Sequence, residues 1–137
     1  MGMKCRISRS VLERIRQESA VAAPREACGL LFGDAQEVSG SQAVENVAEE
    51  PERRFEIAPA ALFAALRAER SGGARIAGYW HSHPGGDARP SATDAAMAAP
   101  DGKLWLIVAG EEARLWRAEP DGPEHGRFRE IAIVRSR

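Results

Sequence analysis

Several residue types are scarce in this chain of 137 residues, and each scarcity argues against a class of protein. Cys5 and Cys28 are the only cysteines, too few for a disulfide scaffold and without the C-x-x-C spacing of a thiolate metal site or a redox pair. Lysine occurs only at Lys4 and Lys103, and acidic and basic side chains are interspersed to a net charge of -1. Because phosphate binding usually needs an electropositive stripe, we expect no nucleic-acid partner.

Long apolar runs are also missing. The amino terminus has no apolar core of signal-peptide length, and no stretch approaches the roughly 18 apolar residues that span a bilayer. A hydrophobic share of 44% with 28% charged residues is ordinary for a globular protein. We therefore expect a cytoplasmic protein with no membrane partner, folded as a single domain over residues 1–137.

Hydrophobic spacing and turn residues divide the chain into alternating helices and strands. Three helices are predicted, at about 8–22 with a Ser10/Glu13 capping box, at 59–70, and at 91–98. Strands are predicted at 28–33, 37–47, 74–80, 103–109, 113–118 and 128–134. The pattern predicts an α/β fold, or loosely α+β, in which a mixed sheet of about five or six strands packs with three helices in layers.

The strand predicted at 74–80 leads directly into two histidines, His81 and His83. Side chains two residues apart on an extended segment point to the same side, so both imidazoles can reach one metal ion. Pro84 disfavours a helical conformation at His83 and helps to keep the pair extended. On spacing alone, a solvent-exposed histidine pair is about as common as a metal site.

A catalytic zinc ion commonly has three protein ligands and one open position. Asp94 is the candidate third ligand, because it lies in the first turn of the helix that Ser91 begins and a Gly-Gly turn lets the chain double back. Taken alone, Asp94 is an ordinary first-turn acid. The combination of three potential ligands with a chain reversal favours a metal site.

These residues resemble the signature of the JAMM (MPN-plus) metalloproteases, H-x-H-P-x6-S-x2-D. The match holds at every fixed position, from His81-Ser82-His83-Pro84 to Ser91 and Asp94. The segment Glu26-Ala27-Cys28-Gly29-Leu30-Leu31-Phe32-Gly33 is similar to the E-x-C-G-L-L-x-G setting of the family's upstream glutamate. The resemblance extends across nearly the whole chain and implies the cytidine-deaminase-like JAMM/MPN architecture of a compact prokaryotic member.

The resemblance also implies the roles of the site residues. It makes His81, His83 and Asp94 zinc ligands, Glu26 the general base and acid, and Ser91 a stabiliser of the tetrahedral intermediate. For Glu26 the alternative is a solvated acid at a strand edge, and for Ser91 it is a simple helix cap. Cys28 is interpreted as a small buried residue rather than a nucleophile.

The same resemblance implies hydrolysis of a peptide or isopeptide bond after the C-terminal Gly-Gly of a ubiquitin-like or sulfur-carrier protein. Such a tail could pair as an added strand with a sheet edge beside the zinc. Residues 47–54 and 98–103 are short where ubiquitin-chain-cutting members carry insertions, which makes specificity for ubiquitin chains doubtful. The alternatives are a non-catalytic MPN scaffold and a RadC-type protein; the absence of H-x-E and P-C-x-x-C ligands argues against a zinc deaminase.

Overall fold

The computed structural model describes residues 3–137, which form seven strands and three helices. The strands are β1 (Lys4–Ser8), β2 (Cys28–Gly33), β3 (Glu37–Val44), β4 (Ile76–Ser82), β5 (Leu104–Ala109), β6 (Glu112–Gly122) and β7 (Gly126–Ser136). The helices are α1 (Arg9–Ala22), α2 (Pro59–Arg70) and α3 (Ala92–Met97). All three predicted helices and all six predicted strands are present, with ends that differ by a few residues.

The strands form one closed sheet in the order β1-β3-β2-β4-β5-β6-β7. The mixed α+β character is confirmed, but the predicted number of five or six strands is too low, because the closed sheet has seven. Strand β1 was not predicted, and it closes the sheet by pairing in parallel with both β3 and β7. Its five residues alternate, with Cys5 and Ile7 buried inside and charged side chains outside.

Two apolar clusters fill the two sides of the central strands. Helix α1 packs one side through Val11, Leu12 and Ile15. The other side holds a cluster rich in aromatic rings, which includes Phe55, Trp105, Trp116 and Phe128. Every residue of β5 from 104 to 108 is buried, which explains why that strand is a continuous apolar run.

The helix starts show one correction and one confirmation. The predicted Ser10/Glu13 capping box is wrong, because Ser8 is the N-cap of α1 and its Oγ accepts from the backbone N–H of Val11 at 3.2 Å. Helix α3 has the predicted start at Ser91, with a complete capping box to Asp94. This box fixes the carboxylate of Asp94 relative to the backbone of Ser91.

Strand β4 lies in the middle of the sheet, between antiparallel β2 and parallel β5. Both of its edges are therefore occupied, so the predicted pairing of a substrate tail with a sheet edge would not use this strand. His81 is the second-last residue of β4 and His83 is the first residue after it, where the chain turns towards α3. Within residues 3–137, none of the helices has both the length and the apolar character needed to cross a bilayer.

Candidate active site

The two histidines at the end of β4 converge as predicted from their spacing. The Nε2 atoms of His81 and His83 lie 3.0 Å apart. His81 is fully buried and His83 is about one-eighth exposed, so the pair is reached from one side. Their separation is too short for both nitrogens to carry a proton, which leaves at least one lone pair directed at the space between them.

Asp94 meets the same point from α3. Its Oδ2 atom is 3.2 Å from Nε2 of His81 and 3.1 Å from Nε2 of His83. The backbone N–H of Ser91 donates to this oxygen at 2.9 Å, so the capping box aims the carboxylate at the imidazoles. Burial opposes ionisation of Asp94, but its contacts with the two imidazoles and with the backbone N–H of Ser91 outweigh it and hold the pKa of Asp94 below its usual range.

Glu26 approaches the site from a position two residues before β2. Its carboxylate and the ligand nitrogens of His81 and His83 all lie within 4.8 Å of one another. The side chain is buried, and its Oε1 atom has no hydrogen-bond partner among the described residues. Burial raises the pKa of Glu26 to about 7, with the nearby His83 opposing the shift and Asp94 adding to it. A carboxyl group with this pKa can both accept and release a proton near neutral pH.

Ser82, between the two histidines, ties Glu26 to the metal-ligand candidates. Its side chain points to the opposite side from theirs, and its Oγ accepts from the backbone N–H of Ala27 at 2.8 Å. The backbone N–H of Ser82 donates in return to the carbonyl of Ala27 at 3.0 Å. This reciprocal pair fixes the start of β2 against the end of β4, and sequence reasoning gave Ser82 no role.

The two imidazoles are held by different means. Nδ1 of His83 lies 2.8 Å from the backbone carbonyl of Asp87, which can only accept, so Nδ1 carries the proton and Nε2 is free to bind a metal. His81 instead stacks on Phe55, with ring centroids 4.3 Å apart, and meets Trp105 edge-on at 5.8 Å. The aromatic support of His81 is a second feature that sequence reasoning missed, because Phe55 follows a loop with no motif.

Asn46 organises that loop. Its Nδ2 donates to the backbone carbonyls of Glu26 at 2.9 Å and Arg54 at 3.1 Å, and its Oδ1 accepts from the N–H groups of Ala48 and Glu56. Its Nδ2 also lies 3.4 Å from the carbonyl oxygen of Pro51, so one side chain contacts five backbone groups and links the loop to the base candidate. Asn46 lies two residues after β3 and five before Pro51, and Asn is a turn-forming residue, so it could have indicated that the predicted strand 37–47 ends earlier.

The donor set fits a zinc ion. Two neutral imidazole nitrogens and one carboxylate oxygen are ligand types that catalytic zinc sites use. A tetrahedral ion with bonds of about 2.0 to 2.1 Å places its ligand atoms about 3.3 Å apart. The three separations of 3.0, 3.1 and 3.2 Å are close to that spacing. Residues that already converge in this way need little rearrangement to hold a metal.

Comparison with known proteins agrees with this geometry. The model of the family described as prokaryotic homologs of the JAB domain matches residues 8–119, which is most of the chain. The chain belongs to the prokaryotic JAB family. The compact JAMM/MPN resemblance is thereby confirmed.

Two sequence relatives and one solved structure are similar to the chain. The chain is 37% identical over 127 residues to a protein named desampylase from Haloferax volcanii, covering 91% of this chain and 88% of that protein. It is 34% identical over 124 residues, 83% of each protein, to a probable TtuB-protein conjugate cleaving protease from Thermus thermophilus. The crystal structure of a JAB1/MPN domain protein from Archaeoglobus fulgidus superposes with a TM-score of 0.60 at 23% identity, over 97% of this chain and all of that one, which shows the shared fold.

Two further side chains of this JAB-family site have defined surroundings. Ser91 is the N-cap of α3, since its Oγ accepts from the N–H of Asp94 at 3.0 Å, while its hydroxyl proton is left to donate elsewhere. Both roles considered for Ser91 are therefore compatible with its position. Burial, and secondarily the charge of Glu26, raises the pKa of Cys28 to about 12, which keeps its sulfur a thiol. This agrees with the interpretation of Cys28 as a structural residue.

Proposed function

We propose that this chain is a zinc-dependent peptidase or isopeptidase that acts as a single domain over residues 1–137. It would hydrolyse the bond after the C-terminal Gly-Gly of a ubiquitin-like or sulfur-carrier protein. The observation that carries the proposal is the convergence of three candidate ligand atoms within 3.2 Å of one another beside a carboxyl group with a pKa of about 7. The names of the two sequence relatives supply the substrate class.

His81, His83 and Asp94 would hold the metal. When bound, zinc supplies Lewis acidity, which polarises a carbonyl group and makes water nucleophilic near neutral pH. Asp94 would be ionised and both histidines neutral for this task. The bond from Nδ1 of His83 to the Asp87 carbonyl favours the required tautomer.

Glu26 would move the proton. It accepts one proton from the attacking water and passes it to the nitrogen that leaves, as a group with a pKa near the working pH can do. Ser91 would donate its remaining hydroxyl proton to the carbonyl oxygen as negative charge develops there. Ser82 would act as a positioning residue, because it fixes the backbone next to Glu26.

The non-catalytic scaffold alternative is disfavoured because a scaffold has no need for three converged ligands and a buried acid. The RadC-type alternative is disfavoured by the prokaryotic JAB match, which spans the Glu26 segment as well as the histidines. The segments 47–54 and 98–103 are short, which favours a substrate whose tail, rather than a second ubiquitin-like body, supplies the main contacts.

Metal analysis after purification without chelator is the first test. We expect about one zinc per chain, and loss of zinc in His81→Ala. Chelator treatment should abolish cleavage of a carrier conjugate, and added zinc should restore it. A protein that purifies without metal and takes up none would contradict the proposal.

Glu26→Gln is the second test. This variant should keep its zinc and lose about a hundred- to ten-thousandfold in kcat, the range that general acid–base catalysis contributes. Glu45→Gln is the matched control, because Glu45 is an exposed acid near the same loop. Cleavage would be followed by mass spectrometry on a carrier protein joined through its Gly-Gly end to a lysine or to one further residue. Unchanged turnover in Glu26→Gln would show that another group is the base.

A further inference from the structure

A cavity of about 270 Å³ opens beside His83, between α1 and the turn that follows β4. One wall is the chain from Ser82 to Gly85, and the other is a stripe on α1 made by Arg16, Ser19, Ala20 and Ala23. These positions share one face of the helix, as their spacing of three and four residues requires. Three of them are small, so the helix leaves room for a ligand.

Arg16 gives the cavity its charge. Within the part of the chain that the structure describes, no Asp or Glu borders this cavity, so the guanidinium is not neutralised by the cavity wall. The Nε atom of Arg16 is buried and has no hydrogen-bond partner among residues 3–137. A half-buried guanidinium with an unpaired N–H, in a mostly apolar wall, attracts an anion that can accept its hydrogen bonds.

A second cavity, next to Glu26, is acidic rather than cationic. It measures about 230 Å³ and is bordered by three acids, Glu18, Glu26 and Glu45, with Arg25 as its one basic residue. The two cavities lie on either side of the end of α1, so the approach to the site is acidic by Glu26 and cationic by His83. An anion would therefore be directed to the Arg16 side.

We propose that Arg16 binds the terminal carboxylate of the residue that leaves when the chain cleaves a peptide bond. This inference rests on the proposed peptidase function and adds a substrate preference to it: a carrier protein extended by one residue beyond Gly-Gly, rather than one joined to a lysine side chain. The planar guanidinium can bind a carboxylate through two parallel hydrogen bonds.

Hydrolysis in this case is simple to balance. Water is added across the C–N bond; its hydroxyl group joins the glycyl carbonyl carbon, and one proton goes to the leaving nitrogen. The products are a carrier with a free Gly-Gly carboxylate and one free amino acid. The carboxylate that Arg16 binds is present before and after the reaction, so its contribution is to binding, and it should appear in KM more than in kcat.

The test uses the full-length zinc-loaded protein and a ubiquitin-like carrier ending in Gly-Gly-Ala, prepared with either a free carboxylate or a carboxamide at the last residue. We expect kcat/KM about tenfold higher for the free carboxylate, since a hydrogen bond to a charged group has about that effect. Arg16→Met should remove the preference, and Arg16→Lys should restore part of it. Arg14→Met is the control, because Arg14 is exposed on the same helix and pairs weakly with Glu18 at 3.9 Å.

Binding measured by calorimetry to zinc-loaded Glu26→Gln separates this proposal from the peptidase proposal. Cleavage with equal rates for the two substrates, or a preference that survives in Arg16→Met, overturns the role of Arg16 and leaves the peptidase intact. If neither substrate is cleaved but the carboxylate form still binds more tightly through Arg16, the binding site stands and the proposed reaction fails. Absence of both cleavage and preferential binding overturns both.

Discussion

His81 and His83 lie two residues apart and point at the same space, yet their surroundings are opposite. His81 is fully buried between aromatic rings, and its Nδ1 atom has no hydrogen-bond partner in the described chain. His83 reaches solvent and is anchored by the carbonyl of Asp87. One imidazole is therefore held by packing and the other by a hydrogen bond.

The protonation of the two rings differs accordingly. Burial lowers the pKa of His81 despite the hydrogen bond that its ring can donate to Asp94. Burial also opposes protonation of His83, but its hydrogen bonds to Asp94 and Asp87 outweigh this and raise its pKa. Metal binding, as proposed, would therefore use one ring that is neutral because of its environment and one that must first lose a proton.

Asp94→Asn should have the largest effect on zinc affinity, because it removes the negative charge that contacts both imidazole rings. Loss of an outer partner of a metal ligand already costs about ten- to a hundredfold in affinity, so we expect loss of a direct ligand to cost more than about a hundredfold. Competition with a chelator measures the affinity, and turnover should fall with it. Asp101→Asn is the control, since Asp101 is exposed and hydrogen-bonds the N–H of Lys103. A variant that binds zinc normally would show that Asp94 is only a helix-cap residue.

Replacing each histidine by alanine tests directly whether packing holds His81 more firmly than His83. Both variants take one imidazole partner from Asp94, but only His81→Ala also leaves a hole between Phe55 and Trp105. We expect His81→Ala to lower the free energy of unfolding of the metal-free protein by about 3 kcal/mol, and His83→Ala by about 1 kcal/mol. Urea denaturation in the presence of chelator measures both. Equal losses would mean that packing does not distinguish the rings.

The charge of Glu26 should make the metal-free protein less stable as pH rises. Its pKa is about 7 in the folded protein against an ordinary value of 4.5, so the uncharged form favours folding. That contribution is fully present below pH 4.5 and is lost as pH rises through about 7; its upper limit is about 3 kcal/mol. Subtracting the stability of Glu26→Gln from that of the native chain at each pH isolates it. A flat difference between pH 4.5 and pH 8 would contradict the burial of this charge.

The convergence of the three candidate ligands could be predicted from the sequence because its geometry is local. Two histidines at the end of a strand must share a side, and a serine three residues before an aspartate is a capping-box pattern that aims the carboxylate. Each of these two patterns involves residues only two or three positions apart, so local backbone geometry is enough to set it. The bridge from Asp94 to both imidazoles needed only the Gly-Gly reversal in addition.

The support of the site could not be predicted in the same way. Phe55 stacks on His81 only because residues 45–58 fold over the end of the sheet, which depends on the side chain of Asn46. Strand β1 was missed because two alternating apolar residues, Cys5 and Ile7, are too few to predict a strand. The strand forms by pairing with β3 and β7 on either side. Contacts between distant segments leave no periodic pattern in a single sequence, and closure of the sheet is such a contact.

Ser82→Ala should have the smallest effect on the site, and it tests whether the residue between the two histidines supports them or supports Glu26. Ser82 lies between the two histidines but faces away from them, so alanine leaves both rings in place and removes only the acceptor for the N–H of Ala27. An unpaired buried N–H costs about 1 to 2 kcal/mol of stability, which chemical denaturation would measure. Because the lost bond fixes the backbone next to Glu26, we expect kcat to fall about tenfold through misplacement of the base, with little change in zinc affinity.

The matched control for this variant is Ser71→Ala, at an exposed serine after α2. If Ser82→Ala weakened zinc binding and left kcat unchanged, Ser82 would support the histidines rather than the base. The distinction matters because the two histidines lie at the end of β4, whereas Glu26 lies just before β2. The bond between Ser82 and Ala27 joins these two segments at the site. The expected loss of kcat with zinc affinity preserved would show that this bond sets the position of Glu26 relative to the candidate ligands.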